Sequence, residues 1–216
     1  MKTDLFIGSL LGPVQQLADI GGPVLLLLLV VSVFTLALSV YKVMQYGAAR
    51  VGARRDINNG VRQIEAGDIK GAVRTFEGSG HFLAPAFALG LTLERGPGTT
   101  SRLEAEAERL LVPLERGFRI LDTVAQLAPL LGLLGTVLGM IEAFQALQAG
   151  GSQVDPTALA GGIWVALLTT AAGLTVAMPT SIILTWFESR IEAERITAEY
   201  VFSVIAAPAG AKQHGA

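Results

Sequence analysis

Thr136, Thr170 and Glu142 stand inside or beside apolar stretches that offer a polar side chain few partners. A hydroxyl in such a place must bond its own backbone, a neighbouring helix, or a polar guest such as water or an ion. Hydroxyls titrate far outside physiological pH, so a pair of them can orient a proton or ion without carrying it. A carboxylate within an apolar span marks an ion or proton path by default. Glu142 is the only ionisable residue in its stretch, six residues and about 9 Å along a helix from Thr136. Its place near the end of that stretch also allows a plainly solvated, interfacial carboxylate. No cysteine is present, which removes disulfides and thiolate metal sites. The two histidines, His81 and His214, have no second ligand at metal spacing. No nucleophile, base and orienting group converge, and no enzyme chemistry or cofactor is expected.

These residues need helices to hold them. The chain has 216 residues, 51% of them hydrophobic, and a mean hydropathy of +0.54, too apolar for an ordinary soluble domain. Three runs lack any charge: Ile20 to Tyr41, Thr123 to Ile141 with apolar continuation to Leu147, and Pro156 to Phe187. Each is long enough to cross a bilayer, which takes about 20 residues. The third would extend about 48 Å as a helix, so it must tilt or emerge. The expected fold is an all-α membrane protein with three transmembrane helices, the second and third extending into a cytoplasmic helical bundle.

Charge orients it. Twelve of the sixteen Lys and Arg lie between Lys42 and Arg119, and three follow the third run. The positive-inside rule puts both segments in the cytoplasm. The expected organisation is a periplasmic arm at 1–20, spans at 21–42, 122–147 and 158–187, a cytoplasmic helical domain at 43–121, a periplasmic loop at 148–157, and a cytoplasmic helix and tail at 188–216. The first span reads as a retained anchor rather than a cleaved signal, because the N-terminus lacks a basic region before it. Gly21, Gly22 and Pro23 break the arm from that span. In the cytoplasmic domain, glycine and proline breaks separate helices at 51–66, 69–77 and 84–95, and Thr100 or Ser101 caps a further one. That last helix is expected to run into the second span, because Leu103, Ala107, Leu110, Leu114, Phe118, Leu121 and Ala125 keep one phase, with Pro113 kinking or briefly breaking it. Phe187, Ile191, Glu194, Ala198 and Val201 share a face beyond the third span.

Spans two and three form a hairpin with Gln153 at its tip, and Thr136 and Thr170 lie seventeen residues on either side, at one depth. Pro129 and Pro179 are nearly level, as candidate helix kinks. Each arm carries a small-residue face: Ala125, Gly132, Thr136, Gly139 and Ala143 on one, Gly162, Ala166, Thr170, Gly173, Ala177 and Ser181 on the other. Such faces serve close helix packing. They equally suit a wall around an axial element, with hydroxyls facing a polar site. Thr169 lies beside its face, where bonding to its own backbone suffices. Trp164 and Trp186 flank the third span as interfacial belts.

At LAPLLGLLGTVLGMIEAF (127–144) and GGIWVALLTTAAGLTVAMPT (161–180) the sequence resembles the ExbB/TolQ/MotA proton-channel family. Three spans with a large loop after the first match the ExbB/TolQ branch, since the MotA branch has four. The resemblance implies a homopentamer in a Gram-negative bacterial inner membrane around an ExbD/TolR-like one-span partner with an essential aspartate. That assembly drives a TonB- or TolA-like energy transducer, with no nucleic acid involved. The family's pore threonines fall on Thr136 and Thr170. Where ExbB and TolQ commonly carry an acid, this chain has Val165, so no proton route here depends on an acid at that position. A self-sufficient transporter would show inverted repeats, and none is evident. A structural membrane scaffold shares the small faces without requiring the two threonines at one depth.

Overall fold

A computed structural model describes residues 2–94, 96, 98–149 and 156–207. Among them the fold is all helix: α1 (Lys2–Ala48), α2 (Arg54–Glu65), α3 (Ile69–Glu77), α4 (Ala84–Thr92), α5 (Thr99–Glu115), α6 (Phe118–Ala149) and α7 (Pro156–Ala206). Three of these are long and apolar enough to cross a membrane, over Gly22–Ala48, Phe118–Gln148 and Leu159–Ala206. The hairpin tip with Gln153, and His214, lie outside the described residues.

The chain divides into two compact units. The first, Met1–Ser39 and Gly117–Leu184, holds the greater part of the apolar helices. α1 is interrupted at Gly22, where φ is 62° and ψ is −162°, a conformation that glycine alone adopts readily, and Pro23 restarts the helix. Val24, Leu25 and Leu28 of α1 pack with Ala128 of α6 and Ala177 of α7. The outer surface is apolar: Val30, Val33, Leu36, Leu130, Leu133 and Ile182 are all more than half exposed. A surface of that kind requires lipid or further protein around it.

The second unit, Val40–Arg116 and Thr185–Ala216, is a helical bundle with an ordinary core. Phe76 of α3, Phe87 of α4 and Phe202 of α7 meet in its core, with ring centroids 5.4 Å apart in a tilted pair and 5.7 Å apart edge to face. Phe187, Ile191, Glu194, Ala198 and Val201 are all buried, as their shared phase on α7 predicts. Asp68 caps α3 by accepting from Gly71 N at 2.9 Å. Arg195 of α7 reaches Glu108 and Glu115 of α5 at 2.7 and 2.9 Å. The hydrogen bond from Arg195 holds the Glu108 carboxyl below the usual carboxylate range.

Two expectations need correction. α5 does not continue into α6: the backbone leaves helical geometry at Arg116 (ψ 130°) and Gly117 takes φ 94°. Pro113 stays inside α5, and the break falls at the glycine, which takes the positive φ at little steric cost. The carbonyls exposed by this ending find donors in α1, Lys42 Nζ bonding Leu114 O at 2.9 Å and Gln45 Nε2 reaching Pro113 O at 3.4 Å. The start of α5 also lies earlier than Thr100 or Ser101. Gly98 at φ 89° opens it, and the Thr99 hydroxyl serves the preceding loop, accepting from Gly96 N and donating to Glu94 O.

Candidate functional site

α6 and α7 meet along a seam of small residues. A Cβ at Gly132 would stand 2.8 Å from Thr169 O, and one at Gly173 would stand 2.5 Å from Ala128 O. Gly162 faces Ala143 with room for little more than a hydrogen, a Cβ there standing 2.5 Å from the Ala143 methyl, and Gly139 faces Ala166, where a Cβ would stand 3.3 Å from the methyl. Backbones that approach so closely need glycine on one side of every contact. Gly132, Gly139, Ala166, Gly173 and Ala177 are therefore engaged within the chain itself, which is the packing use of the two faces.

The centre of the seam is shifted from the expected one. On α7 the buried positions are Ala166, Thr169, Gly173, Ala177, Thr180 and Leu184, rather than a line through Thr170 and Ser181. The expected face stepped by four residues too often, and a helix of 3.6 residues per turn carries such a line around its surface. Gly135 of α6, absent from the expected face, belongs to the seam, where its Cβ would lie 2.5 Å from Thr169 Oγ1. A 3-4-4-3 step read through the glycines would have found both residues.

The hydroxyls divide accordingly. Thr169 is only 1% exposed, and its Oγ1 donates to Ala166 O at 2.7 Å and reaches Gly132 O across the seam at 3.2 Å. Thr170 is half-buried and reaches the same Gly132 carbonyl at 3.2 Å. Thr136, also half-buried, donates to Leu133 O of its own helix at 2.6 Å. The residue facing Thr170 is Gly132, so Thr136 stands one turn away from the expected pairing. Thr136 and Thr170 nonetheless remain at the open edge of the seam, with oxygen lone pairs still available.

Glu142 lies exposed on α6 and Val165 half-buried on α7. Pro129 and Pro179 sit inside helices that continue through them. Among the described residues no cluster of acids, histidines or cysteines suits a metal ion. The seam offers hydroxyls and carbonyls and no titrating group, so it can orient a proton donor or an ion but cannot take up and release a proton.

This assigns separate roles to the three threonines. Thr169→Val should lower the thermal stability of the purified chain, by roughly 1 kcal/mol for the lost interhelical bond. Thr136→Val should leave stability within about 0.5 kcal/mol. Melting curves that rank Thr136→Val as the more damaging would reject the assignment.

A family model described as the MotA/TolQ/ExbB proton channel family matches residues 80–199, which include the whole seam. The putative biopolymer transport protein ExbB-like 3 of Synechocystis is 31% identical over 173 residues, covering 78% of this chain and 82% of that protein. The biopolymer transport protein exbB1 of Vibrio cholerae is 51% identical over 63 residues, 29% of this chain. The Tol-Pal system protein TolQ of Haemophilus influenzae is 40% identical over 82 residues, 38% of this chain. The chain spans only 28% and 36% of the lengths of the last two relatives.

Proposed function

The chain belongs to the MotA/TolQ/ExbB proton channel family, and from that premise we propose that it is the multi-pass subunit of a proton-driven motor in a bacterial inner membrane. Five copies form a ring around a one-span partner of ExbD/TolR type. The ring drives a TonB- or TolA-like transducer for outer-membrane transport or envelope maintenance. The N-terminus lies in the periplasm and the second unit in the cytoplasm. One charge crossing 100 mV supplies about 2.3 kcal/mol, enough to bias two packed states of the ring against each other.

A single observation carries this reading. Thr136 and Thr170 stand half-exposed in the middle of apolar helices, at the edge of a seam that contains no ionisable side chain. Sustained proton transfer needs a group that titrates, and among the described residues none is level with them. The subunit is thus incomplete, and the titrating carboxylate comes from the partner inside the ring. Glu142, exposed on α6, acts at most on the local field.

The test is reconstitution into vesicles under an imposed potential. The subunit alone should pass little proton current, and addition of the one-span partner should bring flux or transducer-coupled work. An aspartate-to-asparagine change in the partner's span should remove that gain. Robust flux from this subunit alone, lost in Glu142→Gln, would make Glu142 the carrier and end the partner-dependent reading. The close glycine packing also supports a second reading, a structural scaffold, in which Thr136→Val and Thr170→Val leave all motor output intact.

A further inference from the structure

The first unit contains another polar feature, away from the α6–α7 seam. α1 and α7 bound a crevice of about 130 Å³ whose walls include five hydroxyl residues, Ser32, Thr35, Ser39, Thr175 and Thr180, together with Pro179. Hydroxyls in an apolar span must bond their own backbone, a neighbouring helix or a polar guest. Four of these hydroxyls already use their hydrogens within their own helices. Thr35 donates to Val31 O, Ser39 to Thr35 O, Thr175 to Ala171 O and Thr180 to Val176 O, all at 2.7 to 2.8 Å. Each oxygen is left with lone pairs to offer. Pro179 has no N–H, so the Thr175 carbonyl lacks the donor that a helix places four residues on.

The wall is therefore rich in acceptors, poor in donors, and carries no charge. That combination selects the guest. A lipid chain has nothing to donate, and would leave the Thr175 carbonyl and the spare hydroxyl lone pairs without a donor. A bare cation would have to shed its water against neutral oxygens with no counter-charge nearby, which burial penalises heavily. Water donates twice, is neutral, and fits: a site needs about 10–15 Å³ and two to four polar partners for each molecule.

We propose that this crevice is a hydrated pocket within the membrane-spanning unit, holding a cluster of waters. Those waters bridge the hydroxyl oxygens of α1 and α7 and supply the donor that Pro179 removes. The pocket places water beside Pro179, the proline in the interior of α7, where a rearrangement of the helix breaks the fewest backbone bonds. The inference stands apart from the proposed motor, since it concerns the solvent inside one subunit and needs no partner.

Because the chain has no cysteine, the pocket can be probed with single thiols. A thiol reacts with a small hydrophilic methanethiosulfonate only as the thiolate, which requires water around it. Ser32→Cys is nearly isosteric, and Thr175 is exposed at the wall, so both variants keep the fold. Val33→Cys and Ile182→Cys serve as controls on the exposed apolar surface outside the crevice, the native side chains being 61% and 71% exposed. In open membrane fragments carrying the full chain, both pocket thiols should react at least about tenfold faster than both controls. A rate for Thr175→Cys within about threefold of Ile182→Cys would show a dry, lipid-filled crevice and overturn the proposal, whatever Ser32→Cys does.

Discussion

Gly173→Ala should separate α6 from α7 and lower the stability of the first unit by about 1–3 kcal/mol, with Gly132→Ala close behind, while Gly139→Ala costs under about 1 kcal/mol. The ranking follows from what each new methyl meets. At Gly173 it lands 2.5 Å from Ala128 O and 3.1 Å from Gly132 Cα, and at Gly132 it lands 2.8 Å from Thr169 O and 2.9 Å from Thr170 Cα. These are backbone atoms of the opposite helix, which cannot rotate aside. The helices must part, and the bonds from Thr169 and Thr170 to Gly132 O lengthen with them. At Gly139 the nearest atom is the Ala166 methyl at 3.3 Å, which a few tenths of an ångström relieves. Unfolding in detergent is the measurement. Equal damage from Gly139→Ala and Gly173→Ala would mean that the seam is not held by these contacts.

Much of this architecture was legible in residue order because a bilayer allows few solutions. Three uncharged runs of sufficient length fix three long helices, and Gly22 with Pro23 fixes the interruption of the first. The buried face of α7 beyond Phe187 was equally plain, since 3.6-residue spacing of Phe187, Ile191, Ala198 and Val201 has no other use in a polar segment. The seam between α6 and α7 was harder. Nearly every residue around these helices is small or apolar, so hydrophobic contrast does not single out one face, and the phase had to be carried by glycine alone. That is why Thr169 and Gly135 were placed outside a face they occupy. The end of α5 was misread for a different reason. Pro113 is the louder signal, yet a proline removes one bond whereas Gly117 permits the positive φ at which the helix ends.

The proximity of His81 and Glu194 was the least legible feature of all, because the two lie more than a hundred residues apart and nothing local links them. Glu194 of α7 is 1% exposed, and its Oε1 accepts from Gly52 N at 2.9 Å. Its Oε2 lies 3.1 Å from His81 Nε2, at ion-pair distance though off the line of a good hydrogen bond. His81 Nδ1 accepts from Leu83 N at 3.2 Å, which leaves the ring proton on Nε2, facing the carboxylate. One buried carboxylate thus holds the turn after α1, the loop before α4, and α7 together. Glu194→Ala strands two donors in the interior of the second unit and should cost about 3–5 kcal/mol, much of the stability of a typical domain. Glu194→Gln keeps one acceptor but turns an amide N–H or leaves a gap toward His81, for an intermediate loss of roughly 1–3 kcal/mol. His81→Phe with Glu194→Leu removes both buried polar side chains and should recover part of the loss, leaving Gly52 N as the unmet group. In a Trp164→Phe background, Trp186 fluorescence reports the unfolding of this unit, since Trp186 packs on Phe187 at 5.2 Å. If Glu194→Ala melts with the parent, the carboxylate is solvated rather than buried, and the junction must be held by the apolar face of α7 alone.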